Sequence, residues 1–204
     1  MTRTAYDTVA ESYAELVREE LDGRHLEHGL LATFADRVPG GHVLEVGCGS
    51  GRITDHLHRL GLEVAGIDLS PNMIEVARRD YPHLRFHVGS MEALVAGDGS
   101  LAGIVAWYSI IHTPPEQLPA VFAELNRALM PDGLLLLAFQ SGDERVRLEH
   151  VYGHSVSYDA YRLDFDAIET MLVEANFAVD VRVHRAPMGY ESTPQAFLLA
   201  RKRS

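Results

Sequence analysis

The sequence predicts an α/β protein built on a doubly wound, mostly parallel sheet with helices on both faces. Strand-like apolar runs alternate with helical patterns, and the strands are almost continuously apolar, as in sheets that are covered on both sides. A glycine-rich turn follows the first run. The 204 residues are 47% hydrophobic and 23% charged, which is ordinary for a globular protein, and we expect a single domain, 1–204.

Residues 1–41 are predicted to form an N-terminal helical cap. Apolar residues recur at helical spacing in two stretches, and Thr8 with Glu11 has the pattern of a capping box for the first helix. The two apolar faces comprise Val9, Tyr13, Leu16 and Val17, then Leu26, Leu30, Leu31, Phe34 and Val38.

Residues 42–140 are predicted to form the core, in which strands and helices alternate. Ser70 is expected to cap a helix that begins at Pro71. Thr113 with Glu116 has the pattern of another capping box, with Pro114 at the first helical position. The predicted strands are 43–46, 63–67, 84–88, 103–108 and 134–139.

The last third of the chain differs from the core. Residues 141–164 are polar without a helical period, and we expect an irregular substrate loop there, since long connections in compact domains are often functional. Residues 165–204 are predicted to form a helix and then a hairpin, whose strands 179–184 and 196–200 pair antiparallel.

Composition favours a small-molecule partner. The net charge of −11 argues against nucleic acid, because affinity for phosphate backbones comes from Lys and Arg. The single cysteine, Cys48, cannot form an internal disulfide, and no secretory signal or apolar run of membrane-spanning length is visible. We therefore expect a cytoplasmic protein without membrane association, acting as a monomer or homodimer.

Four segments should meet at the carboxyl ends of the parallel strands, where doubly wound sheets bind ligands. Glycines after the first strand let a ligand approach the backbone, and Asp68 after the second can accept hydrogen bonds from both hydroxyls of a ribose. A nucleoside-containing cofactor is the natural interpretation; a helix-capping role for Asp68 is the alternative. The segments are 45–52, 68–69, 89–92 and 107–112.

The glycine spacing separates two cofactors. The dinucleotide fingerprint G-x-G-x-x-G needs a glycine where this chain has Arg52, because its third glycine is Gly51. Residues 45–51, Glu-Val-Gly-Cys-Gly-Ser-Gly, resemble the first motif of class I S-adenosylmethionine-dependent methyltransferases, and residues 66–70 resemble the second. The resemblance covers essentially the whole chain. It implies a seven-stranded sheet whose last strand is antiparallel.

The resemblance also implies contacts to S-adenosylmethionine. Gly47, Cys48 and Gly49 would lie beside the methionine moiety, and Asp68 would bind the ribose. Glu45 would either organise the glycine loop or lie near the cofactor's ammonium. The remaining candidates are Gly51 in the loop, Leu69 and Met73 against adenine, Ser90 and Met91 at its edge, the backbone near Trp107 at the methionine end, and Tyr13 or Arg52 at the carboxylate.

Two departures from the family pattern concern the site. Ser90 stands where many members carry an acid, and Gly103 stands where an aspartate is common. Residues 108–110, Tyr-Ser-Ile, also lack the Asn-Pro-Pro-aromatic motif that resembles methylation of nucleic-acid bases. The absence of this motif agrees with the acidic charge in favouring a small acceptor.

The implied reaction is in-line methyl transfer to an O or N nucleophile of a small molecule, in which positioning alone contributes about 7–11 kcal/mol. His112 is the candidate general base, with a hydrogen bond inside its own turn as the alternative. No metal is expected, and Cys48 is interpreted as a small residue tolerated in the turn rather than a nucleophile. Candidate acceptor contacts are Tyr6, Tyr108, His150, Tyr152 and His154.

Two other functions stay open at the level of sequence. A nicotinamide-dependent oxidoreductase would use the same sheet, although Arg52 disfavours it. A non-catalytic S-adenosylmethionine-binding protein would agree with Ser90, Gly103 and the uncertain base.

Overall fold

A computed structural model describes residues 2–204 and confirms the predicted α/β sheet, with seven strands in the order β3-β2-β1-β4-β5-β9-β8. The strand between β5 and β8, β9, is antiparallel to both neighbours, and the other pairs are parallel. The strands of the chain are β1 His42–Val46, β2 Glu63–Asp68, β3 Arg85–Val88, β4 Leu101–Trp107, β5 Leu129–Gln140, β6 Arg145–Glu149, β7 Ser157–Tyr161, β8 Phe177–Arg185 and β9 Gln195–Lys202.

Helices cover both faces of the sheet, as the apolar strands require. Along β4, Ile104 packs into one core cluster and its neighbour Val105 into another, because successive side chains of a strand point to opposite faces. Helices α5 and α6 contribute to the first cluster, and α2 and α3 to the second. The helices are α1 Thr2–Val17, α2 His25–Arg37, α3 Arg52–Arg59, α4 Pro71–Asp80, α5 Leu118–Ala128 and α6 Phe165–Glu174.

The N-terminal helix α1 packs on α4 at the carboxyl ends of the strands. The predicted capping box is wrong, because Thr8 lies inside α1 and its hydroxyl donates to the carbonyl of Thr4 at 3.0 Å. Leu16 is 68% exposed although it was expected on the apolar face. The helix begins earlier than the apolar pattern alone indicates, so Thr8 falls too late to cap it.

The expectation of an irregular loop over 141–164 is wrong. This segment contains the antiparallel hairpin β6–β7, paired from Arg145 with Tyr161 to Glu149 with Ser157. In β6, the apolar residues Val146 and Leu148 alternate with charged residues, which is the period of two that is typical of a strand. The hairpin lies outside the main sheet, and β7 contacts α1.

One predicted helix cap is confirmed and another is wrong. Ser70 Oγ accepts a hydrogen bond from the Met73 amide at 3.1 Å, and Pro71 is the first residue of α4. The pair Thr113 and Glu116 forms no cap, because two short 3₁₀ helices, Ile110–His112 and Pro115–Gln117, precede α5. Among residues 2–204, no helix combines the length and the apolarity needed to cross a bilayer.

Candidate functional site

Two neighbouring cavities lie at the carboxyl ends of the parallel strands. The strand order reverses between β1 and β4, and the crevice at such a reversal is the usual ligand site of a doubly wound sheet. The first cavity, of about 340 Å³, lies over the loops that follow β1 to β4. The second, of about 590 Å³, lies between α1, the hairpin and residues 190–195.

The glycine loop after β1 brings bare backbone to the first cavity. Gly47 and Gly49 line it, and their backbone φ angles of +70° and +53° are values that residues with a side chain rarely adopt. A Cβ on Gly47 would stand 2.3 Å from the Cβ of Ser109, and one on Gly49 would stand 3.5 Å from a ring carbon of Tyr13. The two glycines therefore form a cradle of bare backbone at the cavity surface.

Gly51 and Cys48 face the core instead of the first cavity, which corrects their predicted placement. A Cβ on Gly51 would stand 2.7 Å from the Phe86 ring, so this glycine is needed for packing. The Cys48 side chain is 5% exposed and packs with Ile74 and Phe86. Burial raises the pKa of its thiol, which disfavours a nucleophilic role.

Asp68 closes the first cavity at the end of β2. Its carboxylate accepts hydrogen bonds from the amide of Gly49 at 2.9 Å and from that of Ser70 at 2.8 Å. Burial raises the pKa of Asp68, whereas the two amide bonds act in the opposite direction. The residue both ties the glycine loop to the α4 entrance and lines the cavity.

Glu45 is 2% exposed and lines neither cavity. Its carboxylate accepts a hydrogen bond from the Thr54 hydroxyl of α3, below the glycine loop. Burial raises the pKa of Glu45 to about 8, because taking a carboxylate out of water disfavours its charged form. Of the two roles left open by the sequence, this geometry favours organisation of the loop.

The loops after β2 and β3 contribute the far end of the first cavity. Leu69, Ser90 and Met91 line it, and Leu69 is 46% exposed. Ser90 Oγ accepts from the amide of Glu92 at 3.1 Å. Met73 does not line the cavity and is 1% exposed, because it faces α1 in a cluster with Ala10 and Ala14.

A wall of five aromatic side chains separates the two cavities, and each member lines both. Tyr6 and Tyr13 come from α1, and their rings meet edge to face with centroids 5.7 Å apart. The others come from the end of β4 and the residues after it, where Tyr108 adopts φ of +54°. The wall comprises Tyr6, Tyr13, Trp107, Tyr108 and His112.

His112 and Tyr6 form the polar centre of this wall. The Tyr6 hydroxyl and His112 Nε2 are 2.9 Å apart, while His112 Nδ1 is buried without a partner. Burial lowers the pKa of His112 to about 4, so the imidazole is neutral near pH 7. Tyr158, 1% exposed, packs against both rings from β7, tilted to that of Tyr6 and edge-on to that of His112.

Arg52 faces the second cavity rather than the first. It forms an ion pair with Glu20, while its Nη1 atom is buried without a partner. The charges of Arg52 and Glu20 both act on Tyr13, whose pKa burial raises well above the ordinary value. The predicted candidates for a carboxylate contact, Tyr13 and Arg52, therefore lie near each other.

The second cavity is lined mainly by aromatic and polar side chains. Tyr152 from the hairpin meets Tyr13 edge to face at 5.3 Å. On the opposite wall of this cavity, the Tyr190 hydroxyl donates a hydrogen bond to Glu20 at 3.1 Å. Glu191 accepts a hydrogen bond from Arg185 at 2.5 Å. Burial opposes ionisation of Glu191, but the bond from Arg185 brings its pKa below the ordinary value.

The two hairpin histidines do not line either cavity, contrary to the prediction. His150 is exposed, and its amide donates to the Val156 carbonyl in the hairpin turn. His154 Nε2 lies 2.9 Å from the Ser12 hydroxyl and so fastens the hairpin tip to α1. Within residues 2–204, no three His, Cys, Asp or Glu side chains are placed to hold a metal ion.

Ser109 and Tyr190 were not identified as candidate site residues from the sequence. Ser109 lines the first cavity two residues after β4, and Tyr190 lines the second in a connection between β8 and β9. Ser109 lies within the segment 107–112, which was expected at the site, so its place after β4 could have identified it. Tyr190 carries no local pattern, because only the fold brings it to α1.

Comparisons with known proteins agree with this geometry. A family described as "Methyltransferase domain" matches residues 43–133. An uncharacterized methyltransferase of Mycobacterium tuberculosis is 27% identical over 159 residues, covering 76% of this chain and 61% of the relative. A magnesium-protoporphyrin O-methyltransferase of Rhodobacter capsulatus is 32% identical over 127 residues, or 59% of this chain and 56% of that protein. The chain thus spans about three-fifths of the curated relatives it matches.

A solved structure supports the same fold. The magnesium protoporphyrin IX methyltransferase of Synechocystis, solved with bound S-adenosylmethionine, has a TM-score of 0.74 at 16% identity, over 98% of this chain and 95% of that one. Residues 43–133, from β1 into β5, thus match a methyltransferase domain, and the chain shares the fold of an enzyme solved with S-adenosylmethionine.

Proposed function

We propose that this chain transfers a methyl group from S-adenosylmethionine to an O or N nucleophile of a small-molecule acceptor. The observation that carries the proposal is the pair of adjoining cavities with a shared wall. One has the glycine cradle and Asp68, and the other has an aromatic lining. Relatives named for methylation of magnesium-protoporphyrin and of ubiquinone precursors support a small acceptor.

The residues of the first cavity fit the cofactor. Gly47 and Gly49 present backbone without side chains at the cavity surface, and Asp68 offers carboxylate oxygens there. Asp68 would hold the ribose hydroxyls, with Leu69 against the adenine and Ser90-Met91 at its edge. When bound, the cofactor supplies an electrophilic methyl carbon on a sulfonium with a neutral leaving group.

The N-terminal helix is proposed to hold the charged end of the cofactor and to exclude water. Tyr13 lines the first cavity, and one of its ring carbons lies 3.5 Å from the position of a Gly49 Cβ, so its hydroxyl would donate to the cofactor's carboxylate. Arg52, the other predicted candidate for this contact, lines only the second cavity. Helix α1 is fixed over the site by Asp7, which accepts from Ser70 Oγ at 2.6 Å.

The second cavity is proposed as the acceptor site, built by the cap 1–41 and the 141–164 segment around the core 42–140. Its volume of about 590 Å³ falls in the range typical of small-molecule sites. Its walls carry Tyr152 and Tyr190, whose rings suit a flat or partly apolar acceptor. Residues 165–204 complete the single domain and supply the opposite wall.

His112 and Tyr6 are proposed to act together on the acceptor's proton. Because Nε2 of His112 is engaged with the Tyr6 hydroxyl, the acceptor would meet Tyr6 first. The acceptor O–H or N–H would donate to the Tyr6 oxygen while the Tyr6 proton moves to Nε2. A pKa of about 4 makes His112 neutral and ready to accept, although only as a weak base.

Calorimetry with Asp68→Ala tests the proposal. The variant loses the carboxylate that would bind two ribose hydroxyls, and each charged hydrogen bond contributes about 1.5–3 kcal/mol, so affinity for S-adenosylmethionine should fall about 100-fold or more. Asp98→Ala is the matched control, because this 82% exposed carboxylate lies away from both cavities. Unchanged affinity in Asp68→Ala would contradict the assignment.

The two alternative functions have distinct outcomes. Binding of NADH without binding of S-adenosylmethionine would indicate an oxidoreductase, which Arg52 at the position of the third fingerprint glycine disfavours. Tight cofactor binding with no methyl transfer to any member of a broad acceptor library would indicate a binding protein.

A further inference from the structure

Pairs of aromatic rings that meet at right angles line the second cavity. The rings of Tyr13 and Tyr152 have centroids 5.3 Å apart and planes at 82° to each other, and the planes of Trp107 and Tyr108 are at 87°. All four side chains line this cavity. Two rings at right angles form a corner, in which a ligand group can contact both ring faces.

Ring faces of this kind attract positive charge. The face of an aromatic ring carries the negative part of its quadrupole, and a cation within about 6 Å of the ring centroid is stabilised. Alkylated ammonium groups are typical ligands of aromatic cages for this reason. The rings of the second cavity therefore favour a cation over a neutral or anionic group of the same size.

The carboxylate of Glu20 lies among these rings. It accepts hydrogen bonds from the Arg52 guanidinium and from the Tyr190 hydroxyl. Burial is the main cause that raises the pKa of four tyrosines of this cavity, and the negative charge of Glu20 adds to the effect at each of them: Tyr13, Tyr108, Tyr152 and Tyr190. Glu20 is thus within electrostatic range of all four rings and of any charge between them.

Glu20 has room for a further partner. A carboxylate offers about four lone-pair sites, and its bonds with Arg52 and Tyr190 occupy one site on each oxygen. The Glu20 side chain is 28% exposed and lines the second cavity, so a ligand can reach the remaining sites.

The charges around the second cavity also favour a cation. Among the described residues that line it, the carboxylates of Glu19, Glu20 and Glu191 outnumber the one guanidinium, that of Arg52. Glu191 is paired with Arg185, which lies outside the lining, and the balance of the other charges stays negative. Because Arg52 is paired with Glu20 and its Nη1 atom is buried, it offers little to an anionic ligand.

We infer that the second cavity recognises its acceptor through an alkylated ammonium group, which lies beside Glu20 and between the rings of Tyr13 and Tyr152. The inference rests on the proposed function, since it takes the second cavity as the acceptor site. The acceptor is thus a small cationic amine. Its ammonium is a recognition group that keeps its charge, while the methyl group goes to an O or N atom elsewhere in the molecule.

Three probes of similar shape and different charge test the inference. Choline carries a trimethylammonium group, 3,3-dimethylbutan-1-ol has carbon in place of that nitrogen, and 3,3-dimethylbutanoate is an anion. Calorimetry is carried out on protein saturated with S-adenosylhomocysteine, so that the first cavity is filled. Choline should bind about 10-fold or more tightly than the alcohol, and the anion should bind most weakly.

Variants locate the bound cation. Tyr152→Leu should remove most of the preference for choline over the alcohol, whereas Tyr152→Phe keeps the ring and should retain the preference. Glu20→Gln removes the charge and should weaken choline binding about 2- to 5-fold, with no change for the alcohol. Tyr161→Leu and Glu15→Gln are matched controls, because neither residue lines either cavity, and both should bind the probes as the wild type does.

The outcomes separate the inference from the proposed function. Equal affinity for choline and the alcohol, or tighter binding of the anion, would overturn the inference while leaving the cofactor assignment intact. A preference for choline that Tyr152→Leu leaves unchanged would overturn it as well. Wild-type protein that does not bind S-adenosylhomocysteine would instead overturn the proposed function.

Discussion

The two cavities share a wall but are built in different ways. The first is formed by loops that follow consecutive strands, so its glycines and Asp68 lie where the strand pattern places them. The second combines α1, the tip of the β6–β7 hairpin and residues 190–195, which are far apart in the sequence. The first cavity is thus determined by local motifs, and the second by tertiary packing.

The largest expected effect concerns the rigidity of the glycine loop. Gly47→Ala combines a positive φ with a Cβ placed 2.3 Å from that of Ser109, and we expect a loss of about 2–5 kcal/mol in the free energy of unfolding. Gly23→Ala has a matching φ of +72° but meets no atom within 4 Å, so strain alone should cost it about 1 kcal/mol.

Chemical denaturation of both glycine variants measures the difference. Similar losses in the two variants would show that contact with Ser109 is not what requires a glycine at position 47. The cradle of the first cavity would then be less tight than the structure indicates.

A smaller, pH-dependent effect is expected at Glu45, beneath the same loop. Its pKa is raised by burial to about 8, so between the unfolded pKa near 4.5 and pH 8 the folded state holds a proton that the unfolded state has lost. Stability from this group is complete below pH 4.5 and is lost as the pH rises towards 8.

Glu45→Gln removes this titration while keeping an oxygen that can accept from Thr54. Relative to wild type, the variant should gain on the order of 1–4 kcal/mol in unfolding free energy between pH 5 and pH 8. A difference between the two proteins that is constant with pH would contradict the neutral, buried state of Glu45.

The smallest effect concerns the β6–β7 hairpin, which borders the second cavity. His154→Ala removes the hydrogen bond to Ser12 that joins the hairpin to α1, at an expected cost of about 0.5–1.5 kcal/mol. Melting temperatures measure it. His150→Asn should be neutral, because His150 is exposed and asparagine tolerates its φ of +55°. Equal changes in melting temperature for the two variants would instead support the prediction that both histidines line one pocket.

The sequence predicts the sheet and the position of the loops around the first cavity, for physical reasons that are visible in particular residues. Apolar strands and Pro71 after Ser70 are local signals, and the structure confirms them. Gly51 and Cys48 were assigned to the site by motif alone, yet their orientation depends on Phe86, which comes from a later strand. A motif gives the position of a residue along the chain and not the direction of its side chain.

Fewer features of the second cavity could be predicted from the sequence. The hairpin was missed because its apolar positions, Val146 and Leu148, are few and alternate between charges. Tyr190 and Arg185 were missed because they contribute through contacts with Glu20 and Glu27 of the N-terminal segment, which no local pattern indicates. Long-range pairs of this kind are set by packing of the whole fold.

A crystal structure of the chain with S-adenosylhomocysteine tests the central claim most directly. We expect the ligand in the first cavity, with its ribose hydroxyls on Asp68, its adenine beside Leu69 and its amino-acid end beside Tyr13, while the second cavity stays open for the acceptor. A ligand in the second cavity, or one whose ribose lies away from Asp68, would contradict the assignment of the two cavities.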